Sequence, residues 1–120
     1  MSTLQDINDL ASDFEKCQKI LIALGDENRQ HMILKMMEMG SCAGVRVNDI
    51  TQETHLSRPA VSHHLQILKD AGFLKMRREA TKNYYYFDPD MKSFTLLIGV
   101  LQRTINITSK LPDRSGNDLF

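Results

Sequence analysis

The first apolar positions of the chain fall at Ile7, Leu10, Phe14, Cys17, Leu21 and Leu24. Steps of three and four residues place all six on one stripe of an amphipathic helix. The residues between them, among them Asn8, Asp9, Asp13, Glu15, Lys16 and Lys19, are mostly polar. So narrow a stripe predicts packing against another helix, from this chain or a second one. Gly25-Asp26 breaks the pattern, and Asp26 or Asn28 can cap a second helix running near Arg29 to Met39. Its apolar positions are Ile33, Leu34, Met36 and Met37, and Gly40 stops it. Beyond the loop Ser41-Cys42-Ala43-Gly44, Val47 to Thr54 reads as a short helix with Val47, Ile50 and Thr54 inward.

Ser57 is a good N-cap, and Pro59 falls in a first turn, where a missing N–H costs nothing. The helix they open carries Val61, Leu65 and Leu68 on one face and stops at Gly72. Two helices joined by so short a turn form a helix-turn-helix. Phe73 to Met76 and Tyr84 to Phe87 are short β-type runs. The polar segment Arg77 to Asn83 between them predicts a hairpin with a basic tip. Asp88-Pro89-Asp90 then opens a last helix with the stripe Phe94, Leu97, Ile98, Leu101 and Ile105. The predicted fold is mainly α with a small β-hairpin: a winged helix-turn-helix with an additional helix at each end. It forms one domain over residues 1–110, followed by a disordered tail over 111–120. Leu10, Phe14, Leu21, Leu97, Leu101 and Ile105 exceed what a three-helix core can bury and predict a homodimer interface.

Composition narrows the picture. A chain of 120 residues with 42% hydrophobic content fills one core, not two. No apolar run is long enough for a membrane span, and the N-terminus lacks the pattern of a secretory signal. Two cysteines in unrelated contexts form no disulfide framework and predict a reducing, cytoplasmic setting. Net charge is zero, but its distribution is uneven. Residues 1–57 carry nine acids and five bases, a net of −4, whereas residues 58–82 carry six bases and two acids, a net of +4. Phosphate attraction follows local potential, so this basic segment is a usable footprint for double-stranded DNA.

Three motifs in order carry a resemblance to a known family. Ala23-Leu24-Gly25-Asp26-Glu27-Asn28-Arg29 is similar to the Ala-Leu-Ala-Asp-x-x-Arg segment of the ArsR/SmtB family of bacterial repressors. The run from Leu56-Ser57-Arg58-Pro59-Ala60-Val61-Ser62-His63-His64-Leu65 to Ala71-Gly72-Phe73-Leu74 resembles its recognition helix. Arg77-Arg78-Glu79 followed by Tyr84-Tyr85-Tyr86-Phe87-Asp88-Pro89 resembles its wing. The likeness spans roughly residues 20–90. It implies a dimer built from the first and last helices, and repression of a palindromic operator relieved by a signal.

With Val61, Leu65 and Leu68 buried, the outward positions of the recognition helix are Arg58, Pro59, Ser62, His63 and Gln66, with Ser57 at its start. Arg58 can reach a phosphate or a guanine edge, Gln66 can pair with adenine, and Ser62 and His63 can bond to base or phosphate. His63 is assigned to DNA, and its neighbour His64, about 100° around the helix, to the structure. Lys75, Arg77, Arg78 and Lys82 on the wing are candidate phosphate contacts, with Arg78 alternatively pairing with Glu79 or Asp70. The three tyrosines are read as packing the second wing strand on the core.

Of the two metal sites recurrent in the family, one needs histidine on the last helix, and this chain has none after His64. The other needs a Cys-x-Cys where only Cys42 stands, so no metal or cofactor is expected. Cys17 and Cys42 are read as buried, inert thiols, with a thiol- or soft-metal-responsive repressor as the alternative. A protein-binding winged helix is a further alternative, which would expose apolar residues in place of Arg58, Ser62, His63 and Gln66. No phosphate loop, nucleophile elbow or metalloprotease helix is present, which argues against an enzyme.

Overall fold

A computed structural model describes residues 3–40 and 42–111. The elements are α1 (Thr3–Lys16), α2 (Gln18–Leu24), α3 (Glu27–Met39), α4 (Val47–Glu53), α5 (Arg58–Asp70), β1 (Leu74–Glu79), β2 (Lys82–Phe87) and α6 (Met91–Ser109). The expected disordered tail, apart from Leu111, lies outside the described residues.

The single long first helix of the sequence reading is two helices. The chain turns at Cys17 (φ −96°, ψ 2°), whose N–H donates to both Asp13 O at 3.2 Å and Phe14 O at 3.0 Å. A turn that tight preserves the three-to-four spacing, so periodicity passes through it unbroken. It does shift the buried face. Cys17 is followed inward by Ile20 and Ala23, while Leu21 and Leu24 are only half-buried. The offset is about one residue, or ~100° of helix. In α3 the buried apolar positions are Met32, Ile33 and Met36, and Leu34 and Met37 are exposed. The Asp26 carboxylate caps this helix by accepting the Asn28 N–H at 2.8 Å.

α4 and α5 form the helix-turn-helix. Ile50 from α4 and Val61, Leu65 and Leu68 from α5 are fully buried with Met32 and Leu74. Truncating a side chain such as Leu65 to alanine removes its transfer energy and leaves a void, together about 2–5 kcal/mol. Gly72 takes φ +89°, a left-handed value that lets the chain leave α5 and enter β1.

The wing is longer in its strands and shorter in its tip than expected. β1 and β2 pair antiparallel from Leu74↔Phe87 to Glu79↔Lys82, and only Ala80 and Thr81 form the turn. Arg77, Arg78, Glu79, Lys82 and Asn83 are thus strand residues. Charged residues have weak strand preference, and here cross-strand pairing overrides it. Val45 adds a bridge to Tyr85, with both backbone bonds at 2.8 Å. Gly44 beside it has φ +99°, and a Cβ there would lie 2.9 Å from Tyr85 O, so the loop passes the wing at a distance only glycine tolerates. Tyr85 is buried, as expected, and Tyr84 and Tyr86 are half-buried.

α1 packs along α6 in the same chain, and Arg103 Nη2 donates to Asp13 Oδ2 at 2.6 Å across them. This pair holds the Asp13 carboxyl below its ordinary value, mainly through the Arg103 hydrogen bond.

Candidate nucleic-acid interface

α5 is set by its ends and by its buried seam. Ser57 Oγ accepts the Ala60 N–H at 3.3 Å, with Pro59 in the first turn. Burying Val61, His64, Leu65 and Leu68 leaves Ser57, Arg58, Pro59, Ser62, His63 and Gln66 exposed on one polar face. The two histidines divide as the sequence suggested: His63 points outward and His64 is buried.

Sequence reasoning missed what holds His64. Arg29, only 7% exposed, donates Nε to Ala23 O and Nη2 to Ile22 O, each at 2.8 Å. Its Nη1 lies 3.2 Å from both Asp26 Oδ2 and His64 Nδ1. One guanidinium therefore ties the end of α2, the cap of α3 and the buried seam of α5 together. An Arg can only donate, so His64 Nδ1 accepts and the ring carries its proton on Nε2. Burial pushes the His64 pKa below 6.5, opposed by Asp26 and reinforced by Arg29 and His63. The neutral ring is the form this site selects. The signal was in the Ala23-to-Arg29 motif, whose last residue is Arg29.

The outward side chains are partly engaged. Arg58 Nη1 donates to Asn48 Oδ1 of α4 at 2.7 Å, and Gln66 Nε2 donates to Asp70 Oδ1 at 2.9 Å. On the wing, Lys75 Nζ meets Asp88 Oδ2 at 2.8 Å, which raises the Lys75 pKa. Arg77 pairs with Glu79 at 3.1 Å, stacks on the Tyr84 ring at 4.9 Å and donates to Ala43 O at 2.7 Å. Glu79 is thus the partner of Arg77 and Asp70 of Gln66, while Arg78 donates to Ala80 O at 3.1 Å. Pairs this exposed are screened by solvent and weak, so a phosphate can displace them.

The two cysteines differ from expectation in one respect. Cys17 is buried, but Cys42 is exposed, because its loop lies outside any packed helix face. Among the described residues no helix is long and apolar enough to cross a membrane. The six expected interface residues also divide. Leu10, Leu21 and Leu97 are half-buried within the chain, whereas Phe14, Leu101 and Ile105 are exposed, with Ile7 and Ile98.

A buried-seam helix, a preceding short helix and a basic two-stranded ribbon define a winged helix-turn-helix DNA-binding regulator. Residues 27–75 match the family model described as bacterial regulatory protein, arsR family. An uncharacterised HTH-type transcriptional regulator of Methanocaldococcus jannaschii is 44% identical over 78 residues, covering 64% of this chain and 83% of that one. The transcriptional repressor SdpR of Bacillus subtilis is 29% identical over 97 residues, covering 81% and 93%. Among solved structures, a homodimeric winged helix-turn-helix DNA-binding domain of Mycobacterium bovis superposes with TM-score 0.57 at 18% identity, covering 86% of this chain and 92% of that one. The chain belongs to the ArsR family of transcriptional regulators, a family of DNA-binding proteins rather than enzymes.

Proposed function

We propose that the protein is a homodimeric repressor that binds a palindromic operator in cytoplasmic DNA, with the exposed face of α5 in the major groove. The observation that carries this reading is that face itself. Ser62, His63 and Gln66 are exposed polar side chains on a helix whose opposite side is locked by Val61, His64, Leu65 and Leu68. A protein-docking helix would present apolar groups there. Gln66 suits adenine, and Ser62 and His63 suit either base edges or phosphate. Lys75, Arg77, Arg78 and Lys82 lie on the ribbon beside it and supply sequence-blind attraction to the flanking backbone.

Dimerisation is supported by the exposed apolar residues Phe14, Leu101 and Ile105 on the paired α1 and α6. The homodimeric Mycobacterium bovis domain has the same fold. A two-fold dimer presents two reading helices, which fit half-sites about one helical turn apart. Selection of bound duplexes from a random-sequence pool tests the proposal. Recovery of an inverted repeat with such spacing supports it, and recovery of no sequence preference at any salt concentration contradicts it.

A further inference from the structure

We propose that a recess between the start of α4, the start of α5 and the turn of the wing seats a single backbone phosphate of the duplex. This deepens the DNA-binding reading and rests on it. The recess has a volume of about 110 Å³ and is lined by Arg46, Asn48, Arg58, Thr81, Lys82 and Asn83, with Val47. At roughly 30 Å³ per water, it holds a few waters or one phosphate group. Three cations and two amides converge on it from stretches that are distant in sequence, and no carboxylate lines it.

Of the fourteen lysines and arginines among the described residues, six are paired with a carboxylate, and three of the other eight meet in this one recess. Lys16, Arg29, Lys35, Lys75, Arg77 and Arg103 each have a carboxylate within ion-pair distance. Among the described residues, no such pair includes Arg46, Arg58 or Lys82. The two nearby acids are occupied. Asp49 accepts the Arg46 backbone N–H at 2.9 Å, and Glu79, opposite Lys82 in the ribbon, is held by Arg77. Asn48 accepts from Arg58 at 2.7 Å, which fixes the guanidinium and leaves its other donors free for an anion. Arg58 accordingly acts as a backbone clamp rather than a reader of guanine. A phosphate seated here would pin the first turn of α5 and the wing turn to the same point on the backbone, setting the angle at which α5 enters the groove.

Three cations on one phosphate differ measurably from three cations on three. Each neutralised phosphate contributes about 0.9 to the slope of log K against log salt. The variants Arg46→Gln, Arg58→Gln and Lys82→Gln, singly and combined, are titrated against a selected duplex and a scrambled one at several salt concentrations. Lys92→Gln on α6 serves as the control, and melting curves verify folding. The expected result is a slope loss of about 0.9 for the triple variant, on both duplexes alike, with each single substitution losing less because the remaining cations still neutralise the phosphate. A loss near three times that value, or none, overturns the shared seat. So does a loss of base preference in Arg58→Gln. Exchanging chloride for inorganic phosphate at equal ionic strength tests the chemistry of the seat, because free phosphate competes with the backbone for the same cations. Duplex affinity is expected to fall in the parent protein and not in the triple variant. An equal effect on both, or none on either, overturns the seat. If the unsubstituted protein shows no salt-dependent duplex binding, the DNA reading itself fails. If it binds and the triple variant keeps its slope, only the seat fails.

Discussion

Removing the Arg29 guanidinium strips a partner from four groups at once: the carbonyls of Ile22 and Ala23, the Asp26 carboxylate and His64 Nδ1. Each buried acceptor left unpaired costs about 1–3 kcal/mol. Arg29→Ala is therefore expected to destabilise the fold by about 3 kcal/mol or more in urea unfolding. Arg29→Lys should recover little, since an ammonium cannot span the same fork. A loss below about 1 kcal/mol would show the clasp to be incidental. His64 adds a pH dependence. Its folded pKa lies below 6.5, so the unfolded chain binds the proton more readily. Stability is then full above that value and falls as pH drops from about 6.5 through the folded pKa. Thermal melting should be flat in mildly alkaline buffer and decline below it. His64→Asn, which keeps an acceptor for Arg29, should flatten the decline. An unchanged decline in that variant would assign the effect to other groups.

At the level of elements, α5 was legible because its cap, first-turn proline, apolar seam and terminal glycine all act locally. Ser57, Pro59 and Gly72 each announce a boundary whatever surrounds them. The turn at Cys17 was not legible, because the apolar spacing continues across it. The wing strands were hidden for a different reason. Arg77 to Glu79 and Lys82 to Asn83 are strands by virtue of register, which only the partner strand supplies. The recess beside α5 escaped notice because positions 46–48, 58 and 81–83 meet only after folding. The two-residue turn makes its own prediction. Ala80 has φ 53°, in the left-handed region that favours glycine. Ala80→Gly should relieve that strain and stabilise the protein by about 0.5–1 kcal/mol, read as a raised melting temperature. A lowered melting temperature would mean that the alanine conformation carries no such cost.

For the whole molecule, the proposed dimer places a second copy against the exposed apolar residues of α1 and α6. Ile105 is 61% exposed in one chain, so Ile105→Glu leaves the protomer core intact. The variant should sediment as a folded monomer where the parent protein sediments as a dimer. It should also lose most of its operator affinity, because a single half-site then carries the binding. A parent protein that is monomeric at tens of micromolar would contradict this assembly.

In the proposed complex the exposed face of α5 reads base sequence while the basic ribbon holds the backbone. The most direct test is Gln66→Ala, measured by equilibrium titration on a selected duplex and on a scrambled duplex under the same salt conditions. Gln66 must exchange its bond to Asp70 for a base edge, and counterion release is indifferent to it. The expected loss is about 1–3 kcal/mol on the selected duplex and almost none on the scrambled one. Equal losses on both duplexes, or no loss on either, would contradict it.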